Sequence, residues 1–286
     1  MKSIIDNQEK WVKEHYIPCS RGYLSCYQDN LFISLDGKDL ENFEKGGGNE
    51  LEDKNGEKAK MKALKSSSAL CVNFFLYLKR KGLLPTLLKS IGLHSASIID
   101  GEFEKKLNTG VSPAPANLDF YIDCENCAIG IESKFTEHYD KHHAPLKQSY
   151  LDENDEWHLK AKCYKSFPYL AQWINNKWEI GKYSAKGKTY TGRFSPFEYL
   201  DVEQLVKHLF ALNNNKKPYY LIYLHYDIVC DEITKHEEEI SEFCSILKKD
   251  RVNFISISYQ SLFAKLKKEL LAHKEYSSYM ESRYLL

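Results

Sequence analysis

The sequence predicts an α/β fold, a mixed central sheet flanked by helices in the order αβββαβ. Three observations predict it. Residues 117–137, NLDFYIDCENCAIGIESKFTE, hold two runs of alternating apolar and polar residues around a short polar connection, the pattern of a β-hairpin. Residues 219–228, YYLIYLHYDI, form an almost unbroken apolar-aromatic run, the pattern of a strand buried on both faces. Helical periodicity precedes the first of these regions and brackets the second.

Composition sets the class. With 43% hydrophobic and 28% charged residues over 286 positions, the chain reads as an ordinary globular protein. Lys+Arg and Asp+Glu balance at 40 each, which argues against a generic polycation but leaves room for a local basic groove. No run approaches the roughly 20 apolar residues that span a bilayer. The start, MKSIIDNQEKWVKEHY, carries acids and no apolar signal core. Eight scattered cysteines fit reduced thiols, so a cytoplasmic location is expected.

A short helix is expected near residues 7–15. Residues 44–58, EKGGGNELEDKNGEK, are glycine-rich and charged, and a mobile loop is expected over 43–58. Leu70, Cys71, Phe74, Phe75 and Leu78 make the apolar stripe of a helix within 60–81. Ser66 to Ser68 offer its cap, unless Lys60 to Lys65 extend it backwards; Lys79, Arg80, Lys81 and Gly82 suit its end. Pro85 opens a short helix ending near Gly92. Ile98, Ile99 and Phe103 mark a strand over 96–104, and Pro113 and Pro115 an extended entry to the hairpin.

Beyond the hairpin, residues 137–157 read as a mobile polar loop. Its His138, His142 and His143 lack a further ligand at convincing spacing. A helix over 158–176 is interrupted at Pro168. In 177–199, Lys182, Lys186, Lys188 and Arg193 are interleaved with Trp178, Tyr183, Tyr190 and Phe194. Such a segment suits nucleic-acid contact, or equally a ribbon with cross-strand aromatic pairs. Asp201 can cap a helix to about Leu212, with Leu205, Val206, Leu209 and Leu212 as its stripe. A helix over 231–249, a strand over 252–257 and a helix over 259–273 complete the pattern.

Within the hairpin, Leu118, Phe120 and Ile122 are expected on one face, with Asp119, Tyr121 and Asp123 on the other. A loop of Glu125-Asn126, or of Cys124 to Cys127, sets Phe120 against Ile131 and Asp119 against Glu132. Opposed Cβ atoms lie roughly 4.5–5.5 Å apart, so the two carboxylates repel unless a cation sits between them. A divalent metal suits that place. Lys134 points to the same face as Glu132. A loop of three or five residues would shift the register and break the arrangement.

Asp119-x12-Glu132-x-Lys134 across a hairpin resembles the active site of the PD-(D/E)xK nuclease superfamily, which has the restriction-endonuclease-like fold. Asp36-Gly-Lys38, Glu52-Asp-Lys54 and Glu104-Lys-Lys106 match the tripeptide too, but only the 132–134 copy has the preceding strand, the turn and the upstream aspartate in register. The order αβββαβ is that superfamily's core order. The words SSSALCVNFF, IESKFTE, QLVKHLFAL and YLIYLHYD also resemble a bacterial member family within it.

The resemblance implies one nuclease domain over 1–286, with its core over about 60–260 and an insertion over about 137–199. It implies that Asp119 and Glu132 ligate Mg²⁺, with Mn²⁺ as a substitute, and that the backbone carbonyl of Ser133 adds a ligand. Lys134 would orient the attacking water and offset charge on the phosphorane. Glu104 would be a fourth acidic member and Gln204 a polar site residue on the core helix. The implied activity is a metal-dependent endodeoxyribonuclease acting in restriction, defence or repair on DNA, as a homodimer where two strands are cut. Lys182, Lys186, Lys188 and Arg193 are then candidate DNA contacts. Three other readings compete: a catalytically inactive nuclease-fold binding or assembly module, a ribonuclease, and a zinc module built on Cys124-x-x-Cys127, for which the usual four-ligand spacing is missing.

Overall fold

Ser66 begins the core. Its Oγ accepts from the Ala69 N–H and caps α3, so the helix starts at Ser67 and not at Lys60. Residues 60–62 form a separate 3₁₀ turn. The computed structural model describes residues 2–45, 49–94, 96–141, 144–228, 230 and 232–286. In chain order its main elements are α1 (Lys2–Glu14), α2 (Gly37–Glu44), α3 (Ser67–Arg80), α4 (Leu84–Ser90), β1 (Ile98–Leu107), β2 (Ala116–Cys124) and β3 (Ala128–Lys134). Then follow α5 (Ala161–Ser166), α6 (Pro168–Lys177), β4 (Glu179–Ala185), β5 (Lys188–Phe194), α7 (Val202–Asn214) and β6 (Tyr219–His225). The last are α8 (Glu232–Lys249), β7 (Phe254–Ser258), α9 (Tyr259–Leu266) and α10 (Lys274–Tyr284).

Five strands form the central sheet in the order β7-β6-β3-β2-β1. β1, β2 and β3 are antiparallel neighbours, whereas β6 runs parallel to both β3 and β7. From α3 to β6 the core elements follow αβββαβ. One face of the sheet packs Phe120, Ile122, Ile129 and Ile131 against α3, α4 and α9, with Phe75 and Phe120 stacked at 4.5 Å. The other face packs Ala128, Leu221 and Tyr223 against α7, α8 and the segment between β3 and α7. Gly130 lets α7 come close: a Cβ there would stand 2.9 Å from Leu212 Cδ1 and 3.0 Å from Leu118 Cδ2.

That last contact corrects the face assignment of β2. Leu118 packs with Tyr121, Leu205 and Leu209, on the side opposite Phe120 and Ile122. Strict alternation breaks at Asp119, because Glu104 across from it has a left-handed φ of 52° and interrupts the β1–β2 ladder.

Two stretches expected to be loops are anchored. Leu51 is buried, Lys60 N–H and Met61 N–H donate to Asn49 and Glu50 carbonyls, and Asp53 binds Ala59 N–H, Lys58 and Lys62. Residues 46–48 lie outside the described residues. After β3, His138 and Tyr139 are buried rather than solvated, since the turn folds back over β6 and α8. His142 and His143 lie outside the described residues. At the far end α10 packs on α1, and Arg283, fully buried, binds Asn30, Gln8 and Tyr279. Among the described residues no helix is long and apolar enough to cross a membrane.

Candidate active site

Cys124 N–H donates to the Cys127 carbonyl at 3.0 Å, which closes the hairpin over Glu125-Asn126. The β2–β3 ladder therefore runs Asp123–Ala128, Ile122–Ile129, Tyr121–Gly130 and Phe120–Ile131. The next step places Asp119 against Glu132, but there the ladder opens. Asp119 Oδ2 instead accepts from Ser133 N–H at 2.7 Å. Neighbouring residues of a strand send their backbone groups to opposite sides. Lys134 C=O accepts from Tyr226 N–H on the β6 side, so Ser133 turns its N–H and C=O toward β2 and the opening. Glu104 lies between the pairs Phe103–Phe120 and Lys105–Leu118, hence across from Asp119 on its other flank. Glu104, Asp119 and Glu132 make one row over three strands.

Burial and mutual repulsion act on this row. Burial, then Glu132 and Glu104, push the Asp119 carboxyl well above its ordinary range. Burial, followed by Glu50 and Glu132, raises Glu104 to about 7, although a hydrogen bond from Asn117 opposes the rise. Glu132 is the exception. Burial would raise it, but Lys134 and His208 together hold it at about 2. Lys134 Nζ is 2.8 Å from Glu132 Oε1, and His208 Nε2 is 2.7 Å from Oε2. Lys134 also donates to Gln204 Oε1 at 2.8 Å and lies 3.9 Å from Asp201. Burial pulls its pKa down, but Glu132 foremost, with Asp201, Glu137 and Asp119, holds it well above the ordinary value. Lys134 is an ammonium here, unsuited to act as a general base.

The row, Lys134 and Gln204 are thus brought together, as the sequence suggested. His208 and Glu50 were not foreseen. His208 sits on α7 one turn after Gln204, a spacing that puts both on one helix face. Glu50 comes from the stretch read as a mobile loop; it pairs with Lys60 at 2.7 Å and accepts from Ser68 Oγ at 2.9 Å. The donor set in the row is all oxygen and rich in acid, and two of its carboxyls are raised by burial and then by their neighbours. That fits a hard divalent cation.

The basic-aromatic segment is a ribbon, β4 paired with β5, with Tyr183 opposite Tyr190 and their rings stacked at 5.6 Å. Lys186 and Lys188 are exposed at its tip, and Lys182 donates to Thr191. Arg193 is a correction. It is buried, and its guanidinium donates to the carbonyls of Trp157, Ile174, Asn175 and Trp178, so it holds the ribbon to α6 and cannot reach a nucleic acid. Cys124 and Cys127 gather no third cysteine, histidine or carboxylate ligand among the described residues. The one such group there is His138, His225 and His236. Burial drives the pKa of His138 well below its usual value and that of His236 to about 3, so both imidazoles are neutral.

A protein-family model described as Restriction Endonuclease associating with ARP matches residues 5–285. The chain belongs to this family. Its sheet and element order are those of the restriction-endonuclease-like fold, and the family match spans the row, both flanking helices and the segment between β3 and α7. No curated protein and no solved structure matches the chain.

Proposed function

We propose that this restriction-endonuclease family member is a Mg²⁺-dependent endodeoxyribonuclease that hydrolyses DNA phosphodiester bonds in restriction, defence or repair. One observation carries the reading: the register sets Glu104, Asp119 and Glu132 at facing positions of β1, β2 and β3 where the ladders open, with the Lys134 ammonium 2.8 Å from Glu132. Asp119, Glu132 and the Ser133 carbonyl would hold the cation, with Glu104 on its flank. When bound, Mg²⁺ supplies charge neutralisation and Lewis-acid polarisation of the phosphoryl oxygen, and Mn²⁺ substitutes for it.

The chain's own groups do the rest. Lys134, fixed by Glu132 and Gln204, presents a positive charge to the phosphorane and orients a water without taking its proton. His208 positions Glu132. Lys182, Lys186 and Lys188 on the ribbon attract the DNA backbone. Two copies would set two such sites against two strands.

The test is incubation of the full chain with plasmid, linear and single-stranded DNA, and with RNA, in Mg²⁺, Mn²⁺ or EDTA. Mg²⁺-dependent cleavage of DNA that disappears in Asp119→Ala and Lys134→Ala supports the proposal. Binding without cleavage would assign the chain to inactive nuclease-fold modules, and cleavage of RNA alone to ribonucleases.

A further inference from the structure

Next to the carboxylate row, three imidazoles converge from separate elements: His138 from the turn after β3, His225 from the end of β6 and His236 from α8. All three are buried, at 3%, 8% and 1% exposure. Their ring centroids lie 4.6 Å apart for His138 and His236, 5.3 Å for His225 and His236, and 6.0 Å for His138 and His225. One nitrogen from each can be chosen so that the three lie within 4.8 Å of one another.

Buried polar atoms in folded proteins are nearly always hydrogen-bonded. Here both ring nitrogens of His138, Nδ1 of His225 and Nδ1 of His236 are buried with no partner. His138 leans toward the backbone of Tyr226 without completing a bond. His225 Nδ1 is 3.2 Å from Asp227 Oδ1 but misaligned for a hydrogen bond. His236 uses Nε2 on the Tyr223 hydroxyl at 2.9 Å, which leaves Nδ1 turned to the cluster. A core of stacked histidines would be expected to satisfy these atoms or to use apolar side chains instead. These buried nitrogens without a hydrogen-bond partner sit on three rings that can each offer one nitrogen within 4.8 Å of the others, so their lone pairs are available to a shared electron-pair acceptor.

We propose that His138, His225 and His236 form a binding site for a divalent transition metal of the zinc class, separate from the carboxylate row. Imidazole nitrogens suit Zn²⁺ and its neighbours in the first transition row, whereas carboxylate and carbonyl oxygens suit Mg²⁺ and Mn²⁺. Zn–N bonds of about 2.0–2.1 Å place tetrahedral ligand atoms roughly 3.4 Å apart, so closing the cluster needs ring shifts on the order of 1 Å. The Tyr223 hydroxyl, bonded to His236 Nε2, stands where an outer partner orients a metal-bound imidazole. The fourth position falls to water or to Asp227. The metal ties the turn that follows Lys134 to β6 and α8, and so supports the strand end that carries Glu132, Ser133 and Lys134. The proposal does not depend on the nuclease reading.

Co²⁺ is the probe, because its visible spectrum reports nitrogen ligation and low coordination number. The full chain is titrated without any affinity tag, in an Asp119→Asn background that weakens the carboxylate row. One equivalent of Co²⁺ should bind with an intense visible band, displaced by Zn²⁺ and not by Mg²⁺. His138→Gln and His236→Gln should each weaken uptake at least tenfold. X-ray absorption of the Zn²⁺-loaded chain carrying all three histidines should show imidazole scattering, a readout that needs no folded histidine variant. Failure to take up Co²⁺ or Zn²⁺, uptake unchanged in both glutamine variants, or an absorption spectrum without imidazole scattering would each overturn the proposal.

Discussion

The carboxylate row and the histidine cluster meet at the C-terminal ends of two central strands, where Lys134 and His225 face each other on β3 and β6, yet they handle burial in opposite ways. Glu132 has a polar partner on each oxygen, the Lys134 ammonium on one and the His208 imidazole on the other. In the cluster, both nitrogens of His138 and Nδ1 of His236 are buried without a hydrogen-bond partner. The contrast separates two routes to a polar interior. One places opposite charges two residues apart on the same strand. The other gathers like groups from distant elements and leaves their lone pairs free.

The largest expected effects test the paired side. Asp119→Ala, Glu132→Gln and Lys134→Ala should each lower Mg²⁺-dependent cleavage by about 10²–10³ or more, the scale of losing one preorganised electrostatic contact. Plasmid nicking at matched, circular-dichroism-verified folding measures it, and near-normal activity in any variant removes that residue from the mechanism.

Glu132→Ala sharpens the contrast by turning a paired site into an unpaired one. It leaves the Lys134 ammonium buried without its anion and His208 without its hydrogen-bond partner, which should cost about 3–5 kcal/mol in urea unfolding. Glu132→Gln, which keeps the side-chain shape and one acceptor oxygen, should cost markedly less. Equal losses would mean that the pairing contributes little. Arg193→Ala is the control outside both sites: it strands four backbone carbonyls under the ribbon and should destabilise by about 3 kcal/mol.

Acidity distinguishes the row in a second way. Glu104 has a folded value raised to about 7 against an ordinary 4.5, so between these values the folded chain holds a proton that the unfolded chain has released. Metal-free stability should therefore fall as pH rises through that window. A cation needs the ionised form, so the rise in Tm on adding Mg²⁺ should grow from about pH 5.5 to about pH 8. Glu104→Gln should flatten both trends, and an unchanged profile would place Glu104 outside the row's titration. The smallest effect concerns the ribbon. Lys186→Ala and Lys188→Ala should each lower the salt slope of DNA binding by about one, with little change in cleavage at saturation.

The facing positions of Asp119 and Glu132 were legible because a strand has a period of two and the hairpin loop has only a few workable lengths. Once Glu125-Asn126 forms the turn, Asp119 must fall opposite Glu132 and Lys134 must share Glu132's side. Gln204 was legible more faintly, through its place on the helix that follows β3. His208 could have been found by the same reasoning, four residues on, but a histidine within an apolar helix gives no sign of what it faces. Glu50 was hidden in a polar, glycine-bearing stretch whose composition suggests mobility, although Leu51 and Asp53 anchor it. Arg193 was misread because composition shows its charge and not its burial.

The sequence by itself determined the element order and the hairpin register that sets Asp119 across from Glu132 with Lys134 two residues on, because both follow from short-range periodicity. Only the tertiary structure decided which side of β2 Leu118 takes, that Arg193 is a buried clasp, and that His138, His225 and His236 meet. Those three histidines are separated by 87 and then 11 positions in the chain. Their meeting depends on how the turn after β3, the end of β6 and helix α8 pack together, and no local pattern of residues encodes that packing.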